Sequence, residues 1–375
     1  MKKFLPKNLT ALLLSLLILT LVIQNPLPIA KLLFRIAPIA QAEEIIRYFE
    51  EEAIIDGVEE INKSVVEIGI YSVTRQEPLK ILQERGRATG VIVAGNGLIL
   101  TNRHIFNKGN YFKVVVNDTD VYEVIDAIKS PVNDFALLKI DASGLPSAKL
   151  GNSKTLKLGQ TILAIGWANG DYRKTVSRGV VSGLGRTFFA SDGQLTEQLT
   201  DLIQTDAMIN EGGSGGPVIN IKGEVIGIST AIDKDARAVN FALPIHKAKP
   251  MVELYKKTGK YEPGWMGIYY VPVNAAARKE YNLAYNYGAY LISEESGKYP
   301  AVKEGSPADE GGLLEGDLIL EINNTRINEN NPLSDIIQSH RAGETIRLRI
   351  YRNGMGLVKN VVLGKWPTDL DPLNP

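Results

Sequence analysis

Ser214 lies inside Glu211-Gly212-Gly213-Ser214-Gly215-Gly216-Pro217, between the apolar segments 202–209 and 218–221. Glycine on both sides lets the backbone turn sharply and aim successive amide N–H groups into one concavity, which an anionic tetrahedral intermediate requires. A flexible Gly/Ser turn between strands carries the same letters. His104 ends the apolar strand Gly97-Leu98-Ile99-Leu100-Thr101-Asn102-Arg103-His104, where a rigid scaffold can aim it. Asp134 opens another apolar run, Asn133-Asp134-Phe135-Ala136-Leu137-Leu138-Lys139-Ile140. Singly, the histidine reads as structural and the aspartate as a turn starter. As a set they differ. A serine hydroxyl is a poor nucleophile until an imidazole takes its proton and a carboxylate holds that imidazole in the right tautomer.

The elements that must position these groups are short apolar runs separated by Gly and Asn turns, expected as strands at 65–73, 90–93, 98–101, 112–116, 136–140, 161–165, 179–184, 218–221, 225–230 and 238–243. Asn96-Gly97 and Lys222-Gly223 read as hairpin turns, so neighbouring strands are antiparallel and a doubly wound nucleotide fold is not expected. The order His, Asp, Ser on an all-β background belongs to the chymotrypsin-type barrel. A helix is expected within 43–62 and a closing helix over 246–258, ended by Gly259. Pro263-Gly264 marks a domain boundary, and the remainder to Trp366 mixes strands at 318–322, 346–351 and 358–363 with a helix near 333–340, an α+β unit.

The chain has 375 residues, 44% of them hydrophobic, enough for two or three cored domains. Its formal net charge of +0 offers no field for nucleic acid. With no cysteine and only His104, His246 and His340, neither a metal site nor a cofactor is expected, and the latter two histidines are assigned to packing or surface. At the start, Lys2, Lys3 and Lys7 precede the uncharged run Leu9 to Ile23, which reaches about 20 residues if continued to Ile29, the length of a bilayer core. A single-pass anchor with the bulk of the chain extracytoplasmic is favoured. A cleaved signal ending at Ala40-Gln41-Ala42, giving a secreted chain, is the alternative.

Thr101-Asn102-Arg103-His104, Asn133-Asp134-Phe135-Ala136-Leu137-Leu138-Lys139 and Gly212-Gly213-Ser214-Gly215-Gly216-Pro217 resemble the motifs of the HtrA/Deg trypsin-like serine proteases. Further similar stretches are Ala148-Lys149-Leu150-Gly151-Asn152-Ser153, Ile203-Gln204-Thr205-Asp206-Ala207 and Gly223-Glu224-Val225-Ile226-Gly227-Ile228. The C-terminal region resembles the family's PDZ domain in Trp265-Met266-Gly267-Ile268, Gly305-Ser306-Pro307-Ala308 and Gly316-Asp317. The resemblance implies a mostly β fold: a double β-barrel over 43–260 and an α+β PDZ domain over 261–367, after an anchor or signal over 1–42 and before a tail over 368–375, a DegS-like layout.

By resemblance, His104 is the general base, Asp134 its orienter and Ser214 the nucleophile, with the amides of Gly212 and Ser214 as oxyanion hole. Met208, Ile228, Ser229, Thr230 and Asn240 would line the specificity pocket, and Trp265, Met266, Gly267 and Ile268 would receive a peptide carboxylate. Two positions depart from the family pattern: Gly213 stands where Asn is usual, and Asn240 where Gly is usual. Met208 at the expected pocket floor, in place of an acid, predicts cleavage after small aliphatic residues. Implied partners are unfolded or misfolded polypeptides, hydrophobic C-terminal peptides at the PDZ domain, the membrane through the N-terminal helix, and two further copies in a homotrimer, with Tyr48 and Phe49 read either as trimer contacts or equally as ordinary core. Nucleic acid is not among them. The competing reading is a catalytically idle PDZ-bearing chaperone or adaptor that keeps the barrel as scaffold, a reading to which only Gly213 lends support.

Overall fold

A computed structural model describes residues 50–76, 79–167, 174–191, 196–209, 212–232, 239–294 and 299–367. The expected anchor or signal, Tyr48 and Phe49 lie outside these residues. Helix α1 covers 50–62, and no helix of the described residues is long and apolar enough to cross a membrane.

Six antiparallel strands close the first barrel: β1 (Val65–Gln76), β2 (Leu79–Ala94), β3 (Leu98–Thr101), β4 (Tyr111–Val116), β5 (Asp120–Lys129) and β6 (Ala136–Ile140), in the order β1-β2-β3-β6-β5-β4. Strand β3 is buried at all four positions, whereas β4 alternates half-buried and buried, the period-2 signature of a strand with one face inward. Val66, Ile68, Ile92, Ile99, Val114 and Leu138 meet inside this barrel with no exposed surface. Burying each such side chain contributes about 1.5–3 kcal/mol, and truncating Ile99 to Ala would cost about 2–5 kcal/mol. The sequence pattern gives no strand at β5, because its Asp120, Glu123 and Asp126 break the apolar run and its surface is mostly exposed.

The second barrel repeats the plan with β7 (Thr161–Trp167), β8 (Lys174–Ser191), β9 (Thr196–Thr205), β10 (Pro217–Asn220), β11 (Val225–Ile232) and β12 (Asn240–Pro244), ordered β10-β11-β12-β9-β8-β7. Ile162, Val181 and Val218 are sealed in its core. Gly223, with φ 72°, makes the β10–β11 turn and touches Gly57, where any side chain would be crowded. Helix α2 (Ile245–Thr258) then closes the barrel and stops at Gly259, whose φ of 70° and N–H bond to the Tyr255 carbonyl form a left-handed cap.

The C-terminal unit begins at β13 (Gly264–Trp265), paired with β20 (Gly364–Lys365). Its main sheet runs β14 (Tyr270–Pro272), β15 (Ala289–Leu291), β16 (Leu318–Ile322), β18 (Thr345–Arg352), β19 (Met355–Val362), with β17 (Thr325–Arg326) beside β16. Helices α3 (Ala275–Glu280), α4 (Pro307–Glu310) and α5 (Leu333–Gln338) complete it. Ile319, Leu348 and Ile350 are its sealed core. Asp317, with no exposed side-chain surface, takes a forked bond from Arg352 at 2.5 and 2.6 Å, so the Gly316-Asp317 turn is tied to the long β18–β19 hairpin.

Candidate active site

Strand β3 runs straight into a 3-10 turn at Arg103–Asn107, which presents His104 at the rim of the first barrel. Asp134 sits just before β6, the strand that pairs with β3, so the two side chains meet as a consequence of the register Thr101↔Ala136. His104 Nδ1 lies 2.8 Å from Asp134 Oδ2, and the His104 backbone N–H donates to Oδ1 at 2.8 Å. The Thr230 hydroxyl donates to Oδ2 at 2.6 Å. Burial opposes the Asp134 charge, yet the facing His104 charge, the His104 ring and backbone N–H, and the Thr230 hydroxyl outweigh it and hold the carboxyl below its ordinary value. An ionised, acceptor-only carboxylate at Nδ1 makes that nitrogen the N–H donor of the neutral ring and leaves Nε2 as the basic one. The Asp134 side chain is 2% exposed and the His104 side chain 26%, so the pair has a dry side and an open side.

The Ser214 loop comes from the second barrel and is fastened by backbone. The Gly215 N–H donates to the Ser229 carbonyl at 2.8 Å, and the Ser229 N–H to the Gly216 carbonyl at 2.9 Å. Gly212 and Gly215 have φ of 90° and 86°, the left-handed region that favours glycine. A Cβ on Gly215 would stand 2.1 Å from the Thr89 carbonyl oxygen and 2.3 Å from Thr101 Oγ1, and one on Gly216 2.1 Å from the Ile165 carbonyl oxygen. Among the described residues, the amides of Gly212 and Ser214 are paired with no protein acceptor.

One residue absent from every sequence motif joins the halves. Thr89 of β2, fully buried, donates its N–H to the Ser214 carbonyl at 2.9 Å and its hydroxyl to the Gly212 carbonyl at 2.8 Å. The same hydroxyl accepts from Trp167 N–H at 3.0 Å, and the Thr89 carbonyl accepts the Thr101 hydroxyl at 2.8 Å. The only signal in the sequence is a hydroxyl residue inside the inward-facing run Ala88-Thr89-Gly90-Val91, which a β-branched core position would equally produce.

Beside the serine loop lies a shallow groove lined by Trp167, Thr175, Met208, Ile209, Gly213 and Ser229. Two of the residues expected at a specificity pocket, Met208 and Ser229, line it; Met208 is 65% exposed and stands on the rim. Thr230 is turned onto Asp134, Ile228 is sealed between β10 and β12, and Asn240 is buried opposite Ile232 and Thr205. In the C-terminal unit, the Met266 carbonyl accepts from Ala308 N–H at 3.0 Å, and that of Gly267 from Lys303 N–H at 3.0 Å and the Ser306 hydroxyl at 3.3 Å. Gly267 has φ 77° and leaves no room for a Cβ against Ser306, Ile268 bridges Val302, and Trp265 pairs with Gly364.

His246 is not a plain surface residue. Its Nδ1 meets the Ser153 hydroxyl at 2.8 Å while Nε2 faces Asp201 at 3.5 Å and Asp335 of α5 at 3.8 Å. His340 packs its Nδ1 on the Ile336 carbonyl at 2.8 Å. Among the described residues no cluster of His, Asp and Glu has the makings of a metal site.

Two closed six-stranded barrels, one carrying an imidazole–carboxylate dyad and the other a glycine-bound serine, define the trypsin-like class. The trypsin-like peptidase domain model matches residues 88–228 and the PDZ domain model residues 264–363. A DegP-like periplasmic serine endoprotease of Marinomonas sp. is 36% identical over 299 residues, 79% of this chain and 60% of that protein. A serine protease of Synechocystis sp., HhoB, is 33% identical over 288 residues, 77% of this chain and 68% of that protein. Among solved structures, the HtrA-type protease AlgW with tripeptide superposes with a TM-score of 0.62 at 27% identity, covering 84% of this chain and 97% of that one. The chain belongs to the HtrA/DegP family of trypsin-like serine endoproteases that carry a PDZ domain. It spans 60% of the length of the Marinomonas relative.

Proposed function

We propose that the protein is a serine endopeptidase that hydrolyses peptide bonds of exposed or misfolded polypeptides outside the cytoplasmic membrane. In this reading Ser214 Oγ attacks the scissile carbonyl, His104 Nε2 takes its proton and later delivers it to the leaving amine, and Asp134 keeps His104 in the required tautomer. The Gly212 and Ser214 amides stabilise the oxyanion. The carrying observation is the doubly bonded His104–Asp134 pair, its carboxylate side chain 2% exposed and its imidazole side chain 26% exposed. Met208, apolar and on the groove rim, supports a preference for small aliphatic residues before the cut bond, and a peptide panel in which Lys or Arg sites are cut fastest would overturn it.

The C-terminal unit supports capture of hydrophobic C-terminal peptides by strand addition beside β14, with Trp265 to Ile268 as the carboxylate loop and the protease responding to occupancy. The apolar segment 9–29 supports a membrane tether, and the family resemblance a homotrimer. The test is labelling by a serine-directed fluorophosphonate together with casein cleavage, with and without hydrophobic C-terminal peptides, beside Ser214→Ala. Labelling and cleavage that both vanish in the variant are expected. Peptide binding without labelling of the unmodified chain would favour the adaptor reading.

A further inference from the structure

The segment that delivers Asp134 is held from outside its own barrel. Gln338, the last residue of α5 and only 5% exposed, accepts from Asn133 Nδ2 through its Oε1 at 3.3 Å, across 205 positions of sequence. A buried amide needs partners, and a rigid helix can place one accurately: Leu333 and Ile337 anchor α5 in the C-terminal core. Asn133 is fixed in turn by its N–H to the Ser130 hydroxyl at 3.2 Å and by its carbonyl, which accepts from Phe135 N–H at 2.7 Å. Ser130 is itself gripped: its carbonyl accepts from Arg103 Nη1 at 2.9 Å, and its hydroxyl zone meets the Tyr261 phenol of the interdomain linker. Asp134 is thus the one residue between Asn133, pinned by the C-terminal domain, and Phe135, sealed in the first barrel.

From this geometry we infer that Gln338 is a positioning residue for the catalytic carboxylate, supplied by the PDZ domain through Asn133. The inference rests on the roles assigned above to His104, Asp134 and Ser214. Its physical content is that the two 2.8 Å bonds the carboxylate accepts from one histidine require Asp134 to be held accurately: the first barrel packs Phe135 and bonds the Asp134 carbonyl through Arg103 N–H and Asn102 Nδ2, both at 3.2 Å, while the side chain of Asn133 on the other flank takes its bond from the C-terminal domain. Helix α5 also carries Ser334, which hydrogen-bonds Tyr270 of β14, so the element that reaches the catalytic loop is the one facing the strand beside which a peptide would add.

The experiment compares kcat, KM and the pH dependence of kcat/KM on a short peptide for the full chain and for Gln338→Met, Gln338→Glu, Asn133→Ala and the Gln338→Met/Asn133→Ala pair. Rates are normalised to sites titrated by fluorophosphonate. Loss of one modest hydrogen bond should lower kcat about fivefold with KM unchanged. Gln338→Glu, which keeps an acceptor for Asn133 Nδ2, should restore most of it. A less firmly held Asp134 should move the acid limb of kcat/KM to lower pH, a shift that general loosening of the fold does not produce. The pair should be no worse than either single change. If Gln338→Met does not fold, Asn133→Ala, half-buried, carries the same comparison. Unchanged kcat and acid limb in Asn133→Ala and Gln338→Met, or additive losses in the pair, would overturn the inference. No labelling of the unmodified chain would instead overturn the protease reading beneath it.

Discussion

His104 and Asp134 are held by side chains, the loop around Ser214 by glycines. The carboxylate of the first barrel takes three hydrogen bonds, from the His104 ring, the His104 N–H and, across from β11 of the second barrel, the Thr230 hydroxyl. In the second, the described part of the serine loop is bonded through its backbone, and Gly215 and Gly216 lie where a Cβ would fall 2.1 Å from a backbone oxygen. One half therefore fails by losing a charge or a bond, the other by gaining an atom. Asp134→Asn breaks the first half most deeply, since the amide reverses the tautomer preference of His104; kcat should fall by about 10⁴ with casein binding kept.

The matching break in the second half is Gly215→Ala. A methyl group at φ 86° that meets Thr89 and Thr101 must push the loop away from β2, and with it the Ser214 carbonyl that Thr89 holds. A fall in kcat of about 10²–10³ and a loss of about 2–4 kcal/mol of stability are expected, read by steady-state kinetics and denaturant unfolding. A variant with full activity would show that this close approach does not position the serine.

The same contrast governs what the sequence reveals. Apolar alternation and Asn-Gly or Lys-Gly turns make most barrel strands legible, and the motifs around His104, Asp134 and Ser214 stand out because each joins a chemical residue to a strand end or a glycine cluster. Strand β5 is hidden by its exposed acids, and β14 and β15 by their length of three residues each. Thr89 and Gln338 are illegible for a deeper reason: what they do depends on partners 123 and 205 positions away, which no local spacing encodes. Thr230 sits among residues expected to line a pocket, yet its hydroxyl is committed to Asp134, because side chains alternate along β11 and only the register decides which neighbour each meets.

Thr230→Val sharpens the account of the first half. Asp134 is depressed below its ordinary value, so its charge stabilises the native state above the usual carboxylate range, near pH 4, and that contribution fades as pH falls through the lowered native value. Without the Thr230 hydroxyl one bond to the charged form disappears and the native value rises toward normal. Acid unfolding should then begin at higher pH, and kcat at neutral pH should drop about tenfold, both measurable on the full chain. An unmoved acid transition would mean that the His104 bonds alone hold the carboxylate.

Gly213→Asn is the gentlest probe and bears on the second half alone. Gly213 is buried beside Gly166, where a Cβ on Gly166 would fall 2.8 Å from the Gly213 Cα, and its carbonyl accepts from the Gly216 N–H at 3.0 Å. Unlike Gly212 and Gly215, it does not have a positive φ, so its backbone admits a side chain and its freedom is not needed to make the turn. What glycine contributes there is entropy in the unshaped loop, about 0.5–1 kcal/mol relative to a residue with a Cβ. If the loop around Ser214 is ordered mainly by its bonds to Thr89 and Ser229, Asn should raise kcat by no more than about threefold and leave KM in place. A gain of a hundredfold or more would show instead that the glycine leaves the amides of Gly212 and Ser214, proposed as the oxyanion hole, mostly out of position in the resting chain, and that order in this half has to be supplied from outside it.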